Sequence, residues 1–152
     1  MRETNVSEVL DRNKVALELV AKDKEEVIAK MTDLLCKSGA LTDKQAFMSD
    51  VLERERVCST GIGGGIAIPH GKSANVTQTA AAVAKLAVPV RWENTEDGNV
   101  NFVVLLAVNE NDKGNTHVKL LSQIARKLAS EETAKRLAEA ADADEIIKIF
   151  SE

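Results

Sequence analysis

Residues 102–108, FVVLLAV, run for seven positions without a polar side chain. A half-exposed strand alternates apolar and polar residues, so a short continuous apolar run rich in β-branched residues reads as a strand covered on both faces. Two covered faces require helices, and the chain supplies them. Lys14 to Val20 alternates Val15, Leu17 and Leu19 with Ala16 and Glu18, the period-two pattern of a half-buried strand. Ala81 to Val88 reads as a second buried strand, set off from 102–108 by Gly98 and its polar neighbours.

Helical spacing fills the intervals. Val27, Ile28, Met31, Leu34 and Leu35 share one helix face behind an Asp23/Glu26 capping box, and Gly39 is placed to close that helix. A Thr42/Gln45 box precedes Ala46, Phe47, Val51 and Leu52, and this helix runs out into Glu53-Arg54-Glu55-Arg56. Thr116 or Asn115 caps a helix carrying Leu120, Leu121, Ile124, Ala125 and Leu128. Ser130-Glu131-Glu132 starts a short one, and Asp142 with Glu145 opens the last through Ile146, Ile147 and Phe150. Helices and strands interleave with no linker, repeat or low-complexity tract, which predicts one α/β domain over residues 1–152 with helices packed on a sheet.

Composition narrows the function classes. Twenty Lys+Arg against 24 Asp+Glu give a net charge of −4, so no basic excess exists to bind a phosphate backbone. Three Phe, one Trp and no Tyr leave few surfaces on which bases could stack, and nucleic acid is not expected as a partner. Seven apolar residues cannot cross a bilayer, and Met1–Leu10 lacks the apolar segment of a secretory signal; the expected location is the cytoplasm. Cys36 and Cys58 are too few for a disulfide framework and are expected as thiols.

The chemistry concentrates in VCSTGIGGGIAIPHG, residues 57–71, which holds five of the eight glycines and no charged residue apart from a protonated His70. Only His70 and His117 supply imidazoles. His70 follows a predicted short strand, Gly65 to Pro69, and sits between a residue that stiffens φ and one without a side chain. It reads either as a solvated loop histidine or as an imidazole presented with open space beside it. His117 falls in the first turn of its helix on a face shared with Leu121 and Ile124; a hydrogen-bonded core histidine is the alternative to a site residue there.

A neutral imidazole in a loop of small residues is suited to nucleophilic attack, and phosphoryl transfer fits best. That reaction depends on positioning and on neutralising the equatorial oxygens, for which Arg54, His117 and the amides of the glycine loop are available. Rival motifs fail on spacing. A dinucleotide fingerprint from Gly61 and Gly63 needs its third glycine at Ile66, and a phosphate loop ending in Gly71-Lys72-Ser73 needs its first glycine at the same residue. No CxxC or HxxxH occurs, so no metal is expected, and Cys58 reads as a small buried thiol.

STGIGGGIAIPHGK, residues 59–72, resembles the active-site segment of the enzyme IIA domains of the bacterial phosphotransferase system, in the fructose/mannitol class that includes the nitrogen-regulatory homologue. The likeness extends to LERE at Leu52–Glu55, to NFVVLLAV, and to HVKLLSQIARKL at His117–Leu128, and so covers nearly the whole chain. It implies a mixed β-sheet flanked by helices. It implies His70 as the phosphorylated residue, His117 as the second histidine at the phosphoryl group, and Arg54 as the charge-stabilising arginine. No cofactor is implied. The implied partners are the phosphocarrier HPr as donor, a cysteine of a sugar-specific EIIB as acceptor, and, beyond that, a membrane EIIC permease. Fructose is the implied sugar, with mannitol next, and a regulatory nitrogen-related EIIA is the alternative. Ile62, Ile66 and Ile68 read either as a docking face or as core. Gly64 departs from the pattern, taking a position where relatives often carry a polar or acidic residue.

Overall fold

The structure is a computed structural model that describes residues 6–57, 59–92, 98–111 and 116–152, with the side chains of Val6, Ser7, Thr116 and His117 outside that description. The strands are β1 (Val15–Leu19), β2 (Gly61–Gly63), β3 (Ile66–Ala67), β4 (His70–Ser73), β5 (Ala80–Arg91) and β6 (Asn99–Asn109). The helices are α1 (Lys24–Lys37), α2 (Lys44–Val57), α3 (Thr116–Ala129), α4 (Glu131–Glu139) and α5 (Ala143–Ser151), with short 3-10 turns at Val6–Val9 and Arg12–Lys14. The strands form one mixed sheet in the order β1-β5-β6-β3-β2, with β4 also paired to β6.

The strand predicted at 102–108 is the centre of the molecule. Val103, Leu105 and Ala107 of β6 point into a core made with Val27, Ile28, Met31, Leu35, Phe47 and Val51 of α1 and α2. Phe102, Val104, Leu106 and Val108 point the other way, onto Leu120, Ile124, Leu128, Leu137, Ile146 and Phe150 of α3, α4 and α5. Alternation along one strand thus feeds two cores, which is why the run contains no polar position. β1 does the same at the sheet edge: Ala16 and Leu19 pack on the first core, Val15 and Leu17 on the second. The strand expected at 81–88 is longer, and its burial is interrupted after Leu86: Ala87, Val88 and Pro89 are exposed where the register with β6 shifts, and Val90 is buried again. Pro89 is tolerated there because no regular ladder bond is required at an irregularity.

The caps follow from sequence with one correction. Asp23 accepts from Glu26 N at 2.9 Å, while the Glu26 carboxylate reaches back to Lys22 N at 3.2 Å. Gly39, at φ +87°, closes α1 in a Schellman motif: Ala40 N bonds Leu35 O and Gly39 N bonds Cys36 O, both at 3.0 Å. Ser130 and Asp142 cap α4 and α5 as expected. For α2 the cap is Asp43, which accepts from Ala46 N at 3.0 Å. Thr42 instead donates its hydroxyl to Asn75 O at 3.2 Å, tying the helix entrance to the loop after β4. Asn115 and Cys58 lie outside the described residues. Among the described residues no helix is long and apolar enough to cross a membrane.

Candidate functional site

Two glycine-dependent approaches place the segment that holds His70. β2 and β3 form a hairpin whose two-residue turn, Gly64-Gly65, has φ of +64° and +79°. Positive φ at both central residues is the turn whose twist matches the strands it joins, and glycine adopts it without strain. Gly65 O accepts from Asn101 N at 2.8 Å and Phe102 N at 3.1 Å, which anchors the turn on β6. β3 then pairs with β6 at Ile66↔Phe102, and β4 resumes the same register at His70↔Leu106. The two are one strand interrupted at Ile68-Pro69, and Pro69 O still accepts from Leu106 N at 3.0 Å. His70 therefore opens β4 instead of following a strand in a loop. By alternation it shares a face with Ile66 and Ile68, which are buried in the core beneath α3, α4 and α5.

Gly71 faces the opposite side. A Cβ there would stand 3.0 Å from Val51 Cγ2 and 3.1 Å from Phe47 Cε1, so α2 rests directly on the backbone beside His70. Arg54, half-buried in the last turn of α2, is three residues beyond Val51 and continues this face of the helix.

The imidazole of His70 is half-buried, and its Nδ1 lies 3.0 Å from Ile68 O. A carbonyl oxygen only accepts, so Nδ1 carries the hydrogen of that bond, and the neutral ring keeps its lone pair on Nε2. This is the protonation pattern of a nitrogen nucleophile with its second nitrogen anchored. His117 is the second residue of α3, whose Leu120, Ile124 and Leu128 are buried on the same side of the sheet as Ile66 and Ile68; the His117 side chain lies outside the described residues. Of the three isoleucines read as docking face or core, Ile66 and Ile68 are core residues and Ile62 is exposed, at 47%.

Glu55 and Thr60 have no assigned part in the sequence reading. Glu55 is buried at the end of α2. Its carboxylate accepts from Thr60 N at 3.2 Å and from the Thr60 hydroxyl, and it pairs with Lys24 Nζ at 3.5 Å. The Lys24 ammonium lies 5.7 Å from the centroid of the Trp92 ring, within cation–π range. The available signal was a second acidic residue in LERE, adjacent to Arg54. Among the described residues no group of three or more His, Cys, Asp or Glu side chains could hold a metal ion.

Known proteins resemble the chain in sequence and in fold. Residues 8–152 match the family described as "Phosphoenolpyruvate-dependent sugar phosphotransferase system, EIIA 2". A Bacillus subtilis (strain 168) protein, the "PTS system fructose-specific EIIABC component", is 38% identical over 147 residues, covering 97% of this chain and 23% of that protein. The chain therefore spans under a quarter of that relative's length. Among solved structures, the nitrogen regulatory protein IIA-Ntr from Neisseria meningitidis superposes with a TM-score of 0.87 at 28% identity, covering 95% of this chain and 98% of that one. The complex of enzyme IIAMTL with phosphorylated enzyme IIBMTL from Escherichia coli gives a TM-score of 0.80 at 25% identity, covering 93% of this chain and 96% of that one. The matched family spans the sheet, the glycine hairpin and both histidines, and the chain belongs to the type-2 EIIA family of the phosphoenolpyruvate-dependent sugar phosphotransferase system.

Proposed function

We propose that the chain, as one EIIA unit over residues 1–152, is a cytoplasmic histidine phosphocarrier: His70 accepts a phosphoryl group from phospho-HPr and passes it to the cysteine of a sugar-specific EIIB, with fructose as the sugar, beside a membrane EIIC permease. The observation that carries this is the bond from His70 Nδ1 to Ile68 O, which puts the lone pair of the neutral ring on Nε2. Family membership supplies the reaction class. The fructose-specific name of the Bacillus relative supports the sugar, and an EIIA–phospho-EIIB complex among the similar structures supports the acceptor.

The step balances without a co-reactant. The Nε2 lone pair forms the new N–P bond as the donor's N–P bond breaks, and the donor ring nitrogen recovers its electron pair. Nδ1–H stays on Ile68 O throughout, and phosphorylated His70 keeps the same anchor. The Arg54 guanidinium and the His117 imidazole neutralise charge on the equatorial oxygens, with no metal or nucleotide taking part. Onward transfer reverses the geometry, with the EIIB thiolate as nucleophile and His70 as leaving group.

The test is intact mass after incubation with phosphoenolpyruvate, enzyme I and HPr, for the wild type and His70→Ala. Gain of one acid-labile phosphoryl group in the wild type alone is expected. No gain in either, with a separate EIIA labelled as a positive control, overturns the reading. The Neisseria likeness favours one second reading, a regulatory EIIA whose phosphorylation state governs partner binding; a labelled protein that fails to transfer to fructose-type EIIB would select it.

A further inference from the structure

We propose that Glu55 is a positioning residue for His70, acting through Thr60 and Ile68. The inference deepens the phosphocarrier reading and rests on His70 as its acceptor. A buried carboxylate is costly unless its oxygens are bonded, and this one spends its bonds at a single place. It holds both the N–H and the hydroxyl of Thr60, and Lys24 supplies the countercharge. Thr60 in turn presents its carbonyl to Ile68 N at 3.1 Å, and the Ile68 carbonyl accepts from His70 Nδ1 at 3.0 Å.

The result is a series of hydrogen bonds running from Lys24 through Glu55, Thr60 and Ile68 to the imidazole. Thr60 and Ile68 each carry one bond on the N–H and one on the carbonyl, so both peptide segments are held from two sides. The carbonyl that dictates the His70 tautomer belongs to the stretch between β3 and β4, one residue past the β2–β3 pair Gly61↔Ala67. Pro69 O accepts from β6, and Ile68 is held from the other side, where its bond from N to Thr60 O extends the hairpin. Glu55 also follows Arg54 directly, so the same clamp ties the end of α2 to the hairpin. Loss of the carboxylate frees Thr60, lets the Ile68 carbonyl turn away, and removes the preference for hydrogen on Nδ1.

The experiment is 15N NMR of the His70 ring in the unphosphorylated protein, at a pH where the ring is neutral, together with single-turnover phosphorylation by phospho-HPr. The variants are Glu55→Gln, Thr60→Val and Thr60→Ser. In the wild type the Nδ1–H tautomer dominates. Glu55→Gln and Thr60→Val shift hydrogen toward Nε2 and slow phosphorylation by about tenfold or more, as expected when a reacting group loses its near-attack placement. Thr60→Ser restores the hydroxyl and returns both readouts to wild-type values. If Glu55→Gln fails to fold, the Thr60 pair decides. A wild-type ring with hydrogen mainly on Nε2 overturns the proposal, as do folded Thr60→Val and Glu55→Gln proteins with unchanged tautomer and rate. The tautomer is read without any donor, so a protein that shows the shift but takes no phosphate sinks the phosphocarrier reading and leaves the positioning role standing.

Discussion

Val51 Cγ2 lies 3.0 Å from the point where a side chain on Gly71 would begin, so the helix that carries Arg54 rests on the backbone next to His70. Phe47 Cε1 closes the same space at 3.1 Å, and neither neighbour is a flexible chain end. Gly71→Ala forces α2 outward. Overpacking of this kind costs about 1–3 kcal/mol. At roughly 2–4 °C per kcal/mol for a chain of this size, the thermal midpoint falls by about 2–12 °C. Because Arg54 moves with the helix, phosphorylation of His70 slows in the same variant. Val51→Ala in the Gly71→Ala background makes room for the new methyl, so a double-mutant cycle yields a favourable coupling. Strictly additive melts would show that the helix does not rest on Gly71.

Adjacent glycines in the hairpin turn face different constraints. Gly64 has φ +64° with nothing within 4 Å of an added Cβ, whereas at Gly65, with φ +79°, the Cβ would meet Asn101 Oδ1 at 2.9 Å. Asn is among the residues that tolerate the left-handed region. Gly64→Asn is therefore expected to cost less than about 1 kcal/mol, and Gly65→Asn, which adds the clash to the strain, about 1–3 kcal/mol. Urea midpoints measure both. Equal losses would mean that Asn101 yields freely and that the turn, not its packing on β6, sets the cost.

These positions mark what was legible in sequence. The apolar run 102–108 implied a strand with helices on both sides, because no other environment excludes polar residues from both faces. Caps whose side-chain oxygen accepts from the amide three residues on were equally readable at Asp23, Ser130 and Asp142. Thr42 misled because Asp43 beside it has the shorter acidic reach to Ala46 N, a choice made by the contact of Thr42 with Asn75, thirty-three residues away. Of the glycine loop, one short strand, Gly65 to Pro69, was readable and β3 lies within it, but the division into β2, β3 and β4 did not show, since pairing with β6 comes from the partner strand and not from local pattern. Glu55 stood only as part of the charged run that ends α2; its partners Thr60 and Lys24 are what spacing along the helix cannot reveal.

Acid should loosen the ends of the chain before the sheet. The Asp144 carboxyl is held below the usual carboxylate range, first by its hydrogen bond from Arg12 and then by the charge of that guanidinium. Glu152 is held low in the same way by Arg136. A depressed folded-state value means that the contribution is present above the unfolded value, near pH 4, and is lost as pH falls further through the folded one. Arg12→Ala therefore lowers the thermal midpoint at neutral pH and low salt, and its difference from wild type closes below about pH 4. Both pairs are exposed, so added salt shrinks the difference as well. A gap that is constant from neutral pH to acid would mean that Arg12 acts through packing and not through its charge.

Charge at the phosphoryl group is the remaining requirement of the carrier reading, which assigns it to Arg54 and His117. Arg54 presents a planar fork that matches two phosphoryl oxygens, which a lysine cannot reproduce although it keeps the charge. Arg54→Ala is expected to slow phosphorylation of His70 by about 100- to 1000-fold, the usual cost of losing one oriented donor to a developing anion. Arg54→Lys recovers part of that loss. His117 belongs to α3, whose buried residues lie on the opposite face of the sheet from those of α2. His117→Ala still accepts a phosphoryl group but passes it to EIIB poorly, because the accepted group is then held without the second imidazole that steadies it for the thiolate. Rapid-quench transfer in each direction separates the two roles: equal losses in acceptance and donation for His117→Ala would place it with Arg54 as a general charge partner, and wild-type rates in both directions would remove it from the site.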